Sequence, residues 1–315
     1  MKKDYNKVKQ INIKKNMSVS QLMDEYTQSG VLGAGRISDA SYLTAKMINN
    51  ENMKVFMSLA GPQVPGGLRN IISDMIKNEY INVIVSSGAN ITHDLLEAFG
   101  GKHYKDLGKD DNFLNKAGIG RIENVYTQNE DFEVFETKIT KIFTKISEKI
   151  EKTEEKTISI HDLLYEVGLI IEDENSILYQ AAKHNAHIFA PGLIDSMFGL
   201  QLGMFTQDHN LTLDAVKDMH LFSDIVFSSP EIGAIFLGGG LPKHYAMAST
   251  LLKGGLDAAV QITMDRPEAG SLSGAPLEEA KSWSKAKIKS NLANVIGDST
   301  VLFPLIWADA LNKIK

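Results

Sequence analysis

The stretch Ile232–His244 reads IGAIFLGGGLPKH. Its first six residues are apolar or glycine without polar alternation, the pattern of a strand buried on both faces. Gly238, Gly239 and Gly240 follow at once, and Pro242 is placed as a first-turn helix residue. Glycines between a strand and a helix let the backbone approach a ligand closely and turn the free N–H groups of a helix N-terminus toward an anion. The spacing is not G-x-G-x-x-G, so this segment taken alone is as much a tight turn as a phosphate or dinucleotide loop.

The pattern recurs along the chain. Lys54–Ala60, Ile81–Ser87, His187–Pro191, Asp257–Thr263 and Leu292–Gly297 are further Val- and Ile-rich runs. Helical periodicity lies between them, over Gly67–Asn78, Thr92–Gly100, Pro242–Lys253 and Pro276–Ser284. Alternating β and α elements predict an α/β fold with a doubly wound, mostly parallel sheet flanked by helices, of the Rossmann-like kind. Ser86-Ser87-Gly88-Ala89-Asn90 and Gly61–Gly67 each follow a predicted strand. With the triple glycine they converge on one crevice if their strands are neighbours. Gly118-Ile119-Gly120 reads as a structural turn before Arg121. Over Glu136–Lys156, Ile139, Ile142, Ile146 and Ile150 recur at helical spacing between Lys and Glu, an amphipathic helix with one buried face that ends in an exposed connection.

Composition narrows the function. The 315 residues include 43% hydrophobic and 23% charged, as in ordinary globular proteins. A net charge of −6 without a basic stripe argues against nucleic acid as a partner. The lack of cysteine removes disulfides, thiolate nucleophiles and zinc–thiolate sites, and fits a cytoplasmic location. Met1–Tyr5 has no apolar run behind its lysines, and nowhere do eighteen apolar residues run together, so neither a signal peptide nor a membrane span is expected. Residues 1–18 are expected to be a loose segment and residues 19–315 one domain.

The residues able to do chemistry lie in two segments. In Gly270–Asp298, Ser271, Ser273 and Gly274 precede the predicted helix from Pro276. Glu279 and Trp283 are four apart, so they share a helical face. A carboxylate beside an indole holds a primary ammonium by charge and cation–π attraction, although a buried Trp beside a solvated Glu has the same spacing. Lys285 falls at the end of this helix, where a lysine ordinarily serves the helix dipole. His244, just after the glycines, is placed at the mouth of the crevice, where it suits a general base near neutral pH. His184 and His187 have metal-pair spacing, but the strand starting at His187 breaks it, and no metal site is expected. His93, beside Asp94, either faces the crevice or caps its helix.

Taken together, LGGGLPKH (Leu237–His244), GSLSGAPLEEAKSWSK (Gly270–Lys285) and VIGDSTVLFPL (Val295–Leu305) resemble deoxyhypusine synthases. SSGANITHDL (Ser86–Leu95) and GIGRIENVYTQNEDF (Gly118–Phe132) support the resemblance, which runs from about Val19 to Ala310 and looks like the archaeal branch. It implies an NAD-dependent aminobutyl transferase. Hydride leaves the secondary-amine carbon of spermidine for NAD, and His244 takes the proton. Lys285 captures the imine, releasing 1,3-diaminopropane. The aminobutyl group then passes to a lysine of the precursor of the hypusine-containing translation factor, and the hydride returns. Lys285 must be neutral to attack, through desolvation or nearby positive charge such as Lys243. The resemblance places Glu279, Trp283, Lys243, Gly270 and Ser271 on the polyamine. It places Gly238, Gly239, Gly240, Ser86, Ser87, Gly88, Asp195, Ser273, Asp298 and Ser299 on the cofactor. It also implies a homotetramer with shared active sites.

The chain departs from the eukaryotic pattern. Leu200 and Leu272 stand where two spermidine-site aspartates occur, Ala248 replaces an asparagine, and Thr92 and His93 replace adjacent glutamates. Asp265 and Glu268 are candidate replacements. Two alternatives follow: a related aminobutyl transferase with a small amine acceptor (as in homospermidine synthase) or with another donor such as agmatine, and a non-catalytic NAD-binding oligomer.

Overall fold

The structure, a computed structural model, describes residues 6–106 and 108–315. Met1–Tyr5, read above for a signal peptide, therefore lie outside the described residues. All six predicted strands form, and they form one sheet. They are β1 (Met53–Leu59), β2 (Val83–Ser86), β3 (His187–Phe189), β4 (Glu231–Leu237), β5 (Leu256–Thr263) and β6 (Ala286–Ile296). The sheet order is β6-β5-β4-β1-β2-β3 and every pairing is parallel. The chain winds outward from β1 to β3, crosses back to β4, then winds to β6. This is the doubly wound order with its switch point between β1 and β4, where such sheets bind ligands.

Register sets what that switch point offers. Leu59 pairs with both Ser86 and Leu237, Leu237 with Ile262, and Thr263 with Ile296. The carboxyl ends of β1, β2, β4, β5 and β6 thus lie along one edge, and their loops open on the same side. The strands are buried on both faces because helices cover both. Val55, Met57 and Leu59 belong to one apolar cluster and Phe56 to the other, as the period of two along a strand requires. Helices Leu32–Ile48 and Ser299–Leu311 pack on the β5–β6 half. Helix Gly240–Thr250 packs over β1 and β2.

Several expectations need correction. The helix predicted over Pro276–Ser284 is a single turn, Glu279–Ser282, and Ser284 has φ +56. The amphipathic helix starts earlier and ends sooner, at Asn129–Ile150, with Phe135, Ile139, Ile142, Phe143, Ile146 and Ile150 buried. The strand predicted over Leu292–Gly297 begins at Ala286, and as an edge strand it is only half buried. Gly118-Ile119-Gly120 is not merely a turn. Ile119–Ile122 pairs antiparallel with Val125–Gln128 in a small separate sheet, which local apolar content was too low to announce.

Candidate active site

At the switch point the loops enclose a crevice of about 490 Å³. It is lined by residues 60–63 after β1, Gly238–Gly240 after β4, residues 263–265 after β5, Gly297–Ser299 after β6, and Ser273. The glycines are explained first by the chain itself. Gly238 has φ +76, and a Cβ there would lie 2.7 Å from the Ala60 carbonyl oxygen. A Cβ on Gly239 would lie 2.4 Å from Ser273 Cα. The 270–275 loop therefore presses directly on the triple glycine. Ser273 Oγ accepts a hydrogen bond from the Gly240 N–H at 2.8 Å, so one of the helix N–H groups expected to face an anion already has a partner.

The crevice floor is braced by a residue that pattern reading passed over. Gln63 is buried, donates from Nε2 to the Ala60 carbonyl and accepts from Ser299 Oγ at 2.9 Å. It ties the β1 loop to the β6 loop across the switch point. Asp298 caps helix Ser299–Leu311, accepting from Thr300 N at 2.8 Å. Asp298 and Asp265 both present exposed carboxylates to the crevice. The volume is that of a small-molecule site. Two carboxylates beside close-set glycines fit a dinucleotide, whose ribose hydroxyls need acceptors and whose pyrophosphate needs close backbone approach.

A second cavity, of about 270 Å³, lies on the other side of the 270–275 loop. It brings together Lys243, Gly270, Ser271, Leu272, Glu279, Trp283 and Lys285. Glu279 and Trp283 meet there although the helix that was to align them is one turn long. The turn carries them as neighbours, and Trp283 is its C-cap. Lys285 does not end a helix. It stands between that turn and β6, its N–H bonded to the Ala280 carbonyl at 2.9 Å and its carbonyl accepting from Leu256 N at 3.1 Å. Its Nζ lies 5.5 Å from the centroid of the Trp283 ring, within cation–π range.

His244 and Lys243 adjoin on the helix after the glycines but do different things. Burial, and then the nearby Lys285 charge, push the His244 imidazole below its usual range toward the neutral form. Lys243 is 1% exposed and donates to the carbonyls of Leu272 at 2.8 Å and Ala275 at 2.9 Å. Burial lowers its pKa to about 8, with the Glu279 charge opposing. Lys243 lines this second cavity, yet its head fastens the 270–275 loop to the glycine helix.

The remaining cofactor candidates fall beside the crevice. Ser86 is buried, and Ser87 caps helix Gly88–Ala98 through Asn90 N. A Cβ on Gly88 would meet Ser196 and the Leu193 carbonyl, so that glycine serves packing against the loop after β3. Asp195 is exposed on that loop. Asn90 joins this pair of loops to the first, donating to the Gly61 carbonyl at 2.9 Å and accepting from Val64 N at 3.1 Å. Two histidine pairs complete the picture: His93 Nδ1 with His103 Nε2 at 2.9 Å, and His161 Nε2 with His187 Nδ1 at 3.1 Å. His103 also pairs with Glu97. His184 only caps helix Ile177–Lys183.

A doubly wound parallel sheet, a crevice at its switch point and a lysine-bearing cavity one loop away define the class: an α/β enzyme of dinucleotide-binding architecture. The chain belongs to the deoxyhypusine synthase family, whose profile matches residues 21–310. It is 57% identical over 307 residues to a Methanothermobacter thermautotrophicus protein named "Probable deoxyhypusine synthase", covering 98% of each chain. A Methanopyrus kandleri protein of the same name is 40% identical over 299 residues, 95% of this chain and 96% of that one. A crystal structure of a candidate deoxyhypusine synthase from Entamoeba histolytica shares the fold, with a TM-score of 0.69 at 20% identity over 95% of this chain and 94% of that one. With its family, the chain is a transferase of hypusine biosynthesis. No helix among the described residues is long and apolar enough to cross a membrane.

Proposed function

We propose that the chain transfers the aminobutyl group of spermidine, through an imine on Lys285, to a lysine of the precursor of the hypusine-containing translation factor. The observation that carries this reading is the meeting of Lys285, Glu279 and Trp283 in one cavity, separated only by the 270–275 loop from a crevice of dinucleotide size. A nicotinamide bound in that crevice supplies the hydride acceptor and donor. Gly238, Gly239, Ser273, Asp298 and Ser299 would hold the dinucleotide. Ser86, Ser87, Gly88 and Asp195 would reach it only from the neighbouring loops.

Glu279 pairs with one ammonium of the polyamine, and Trp283 offers the face of its ring. Neutral His244 accepts the proton lost when the secondary amine becomes an imine. Lys285 attacks that imine carbon, and the carbon–nitrogen bond to 1,3-diaminopropane breaks. The acceptor lysine then displaces Lys285 from the aminobutyl group, leaving a new imine whose reduction would draw on hydride held by the nicotinamide. Residues 19–315 act as one catalytic domain, in a homotetramer whose subunits share active sites.

Leu272 favours a second reading. It lines the amine cavity as an apolar group where eukaryotic relatives carry a carboxylate, which weakens the hold on a distant ammonium. A smaller donor such as agmatine, or a small amine acceptor, suits that wall. One experiment separates the readings. The protein is incubated with NAD, spermidine and the unmodified factor, and the factor is weighed by mass spectrometry. A gain of one aminobutyl group supports transfer to protein. Homospermidine formed with putrescine, with the factor unchanged, supports the second reading. Absence of a borohydride-trapped imine on Lys285 with any donor refutes both.

A further inference from the structure

Lys285 is placed by the turn that ends the short helix Glu279–Ser282. Trp283 is the C-cap of that helix, Ser284 follows with φ +56, and Lys285 comes next. The Lys285 N–H donates to the Ala280 carbonyl at 2.9 Å, and the Ser284 N–H donates to the Lys281 carbonyl at 3.2 Å. Two such bonds, one nested inside the other around a left-handed residue, make a Schellman motif. Its left-handed position is ordinarily a glycine, because a Cβ there crowds the following carbonyl. Here it is a serine, exposed and outside the lining of the Lys285 cavity.

The rest of the fold holds this conformation in place. The Lys285 carbonyl accepts from Leu256 N at 3.1 Å. Gly255, with φ +96, abuts the same residue: a Cβ on it would lie 2.5 Å from the Lys285 carbonyl carbon and 2.5 Å from Ala286 N. Strained backbone persists only where its surroundings over-determine it, and it gathers at functional sites. An extended residue at position 284 would carry the chain onward, away from the helix. The left-handed one folds it back. Ala280 and Lys285 therefore line one cavity, and Lys285 Nζ comes to 5.5 Å from the centroid of the Trp283 ring. Among the described residues the Lys285 ammonium has no ion-pair partner, so the backbone and the indole direct it.

We propose that Ser284 is a positioning residue for the transfer: its left-handed backbone aims Lys285 into the cavity beside Trp283. Ser284 touches no substrate and acts through Lys285. The inference rests on the imine reading for the chemistry of Lys285, and on the turn alone for its placement.

Three substitutions separate the backbone from the hydroxyl. Ser284→Gly removes the hydroxyl and favours the left-handed turn. Ser284→Thr keeps the hydroxyl and adds a β-branch that disfavours the turn, and Ser284→Val adds the branch without the hydroxyl. Each full-length variant receives NAD and saturating spermidine, and the rate at which borohydride traps an imine on Lys285 is followed by peptide mass spectrometry. The glycine variant is expected within about twofold of the wild type. The valine variant is expected to be slower by at least about tenfold, with threonine between them. NAD affinity, read by calorimetric titration, is expected unchanged in all three, because the crevice lies across the 270–275 loop. A second readout does not depend on turnover. In protein carrying isotope-labelled lysine, the Lys285 ε-methylene proton resonance is assigned by its loss in Lys285→Met. The Trp283 ring current is expected to hold it upfield of the other lysines in the wild type and the glycine variant, and Ser284→Val to return it among them. Normal trapping by Ser284→Val overturns the proposal. So does a glycine variant as slow as the valine one, which assigns the effect to the hydroxyl. If no donor gives a trapped imine on the wild type, the transfer reading fails and the resonance alone decides the placement: moved by valine and kept by glycine upholds it, unmoved by valine overturns it.

Discussion

Lys285 Nζ stands 5.5 Å from the centroid of the Trp283 ring, in the cavity that also holds Glu279. A cation over an indole at a partly exposed site is worth about 0.5–1 kcal/mol. A polyamine ammonium taken up by the same ring face would gain as much, so Trp283→Leu is expected to raise the KM for spermidine about two- to fivefold. Lys285→Ala is expected to keep NAD affinity, because the crevice lies across the 270–275 loop, and to lose transfer altogether. Fluorescence titration of NAD and a mass assay on the factor check both halves, and normal turnover by the alanine variant would sink the mechanism.

The pH profile follows from His244. Its folded pKa is held below the ordinary 6.5 by burial and then by Lys285. A base with a lowered pKa stays neutral further into acid, so the acid limb of the rate is expected below pH 6.5. Removing the Lys285 charge with Lys285→Met should move the His244 titration back toward 6.5, as read by NMR of the ring protons. An unmoved titration would show that burial alone sets it.

Acid stability depends on a histidine away from the chemistry. Burial, with the neighbouring His103 charge adding to it, lowers His93 to about 4. The unfolded chain takes up a proton near pH 6.5 and the folded one does not until about pH 4. Stability is thus present above pH 6.5 and falls as pH drops from 6.5 to about 4, by roughly 3 kcal/mol for a full shift of this size. His187, also lowered to about 4 by burial and then by the His161 charge, adds a loss of the same sign in the same window. His93→Gln is expected to flatten the slope of denaturation midpoint against pH. An unchanged slope would remove His93 as its source.

Asp94 is fully buried and takes four hydrogen bonds: from Arg69 Nε at 2.8 Å, Ser176 Oγ at 2.8 Å, Ile177 N at 3.0 Å and Leu178 N at 3.1 Å. It joins the helix after β1 to the start of helix Ile177–Lys183. Asp94→Ala leaves the Arg69 guanidinium buried without that partner, although Asp173 still reaches it at 2.7 Å. The expected cost is about 3–5 kcal/mol, seen as a lowered urea midpoint. A loss under about 1 kcal/mol would mean that Asp173 suffices.

The sheet was legible because its signal is local. Short apolar runs such as Ile232–Leu237, repeated between helical patterns, read as strands buried on both faces of a parallel sheet. The Asn129–Ile150 helix was legible for the same reason, through its periodic isoleucines. Element ends were less so. Pro276–Ser284 has helical spacing, but hydrogen bonds from Leu277 N to Asn294 and from Lys243 to the Ala275 carbonyl hold its first part in another shape.

What the sequence determined by itself is the alternating parallel architecture and, through its ordered motifs, the family. Tertiary structure decided the roles. Lys243 is a motif lysine that pins a loop, Gln63 is an unmarked glutamine that braces the crevice, and Lys285 stands at a strand edge beside Trp283 rather than on a helix. Periodicity reports which face of an element is buried. It does not report which loops meet, because that depends on strand order and register, and here these set Leu59 beside both Ser86 and Leu237.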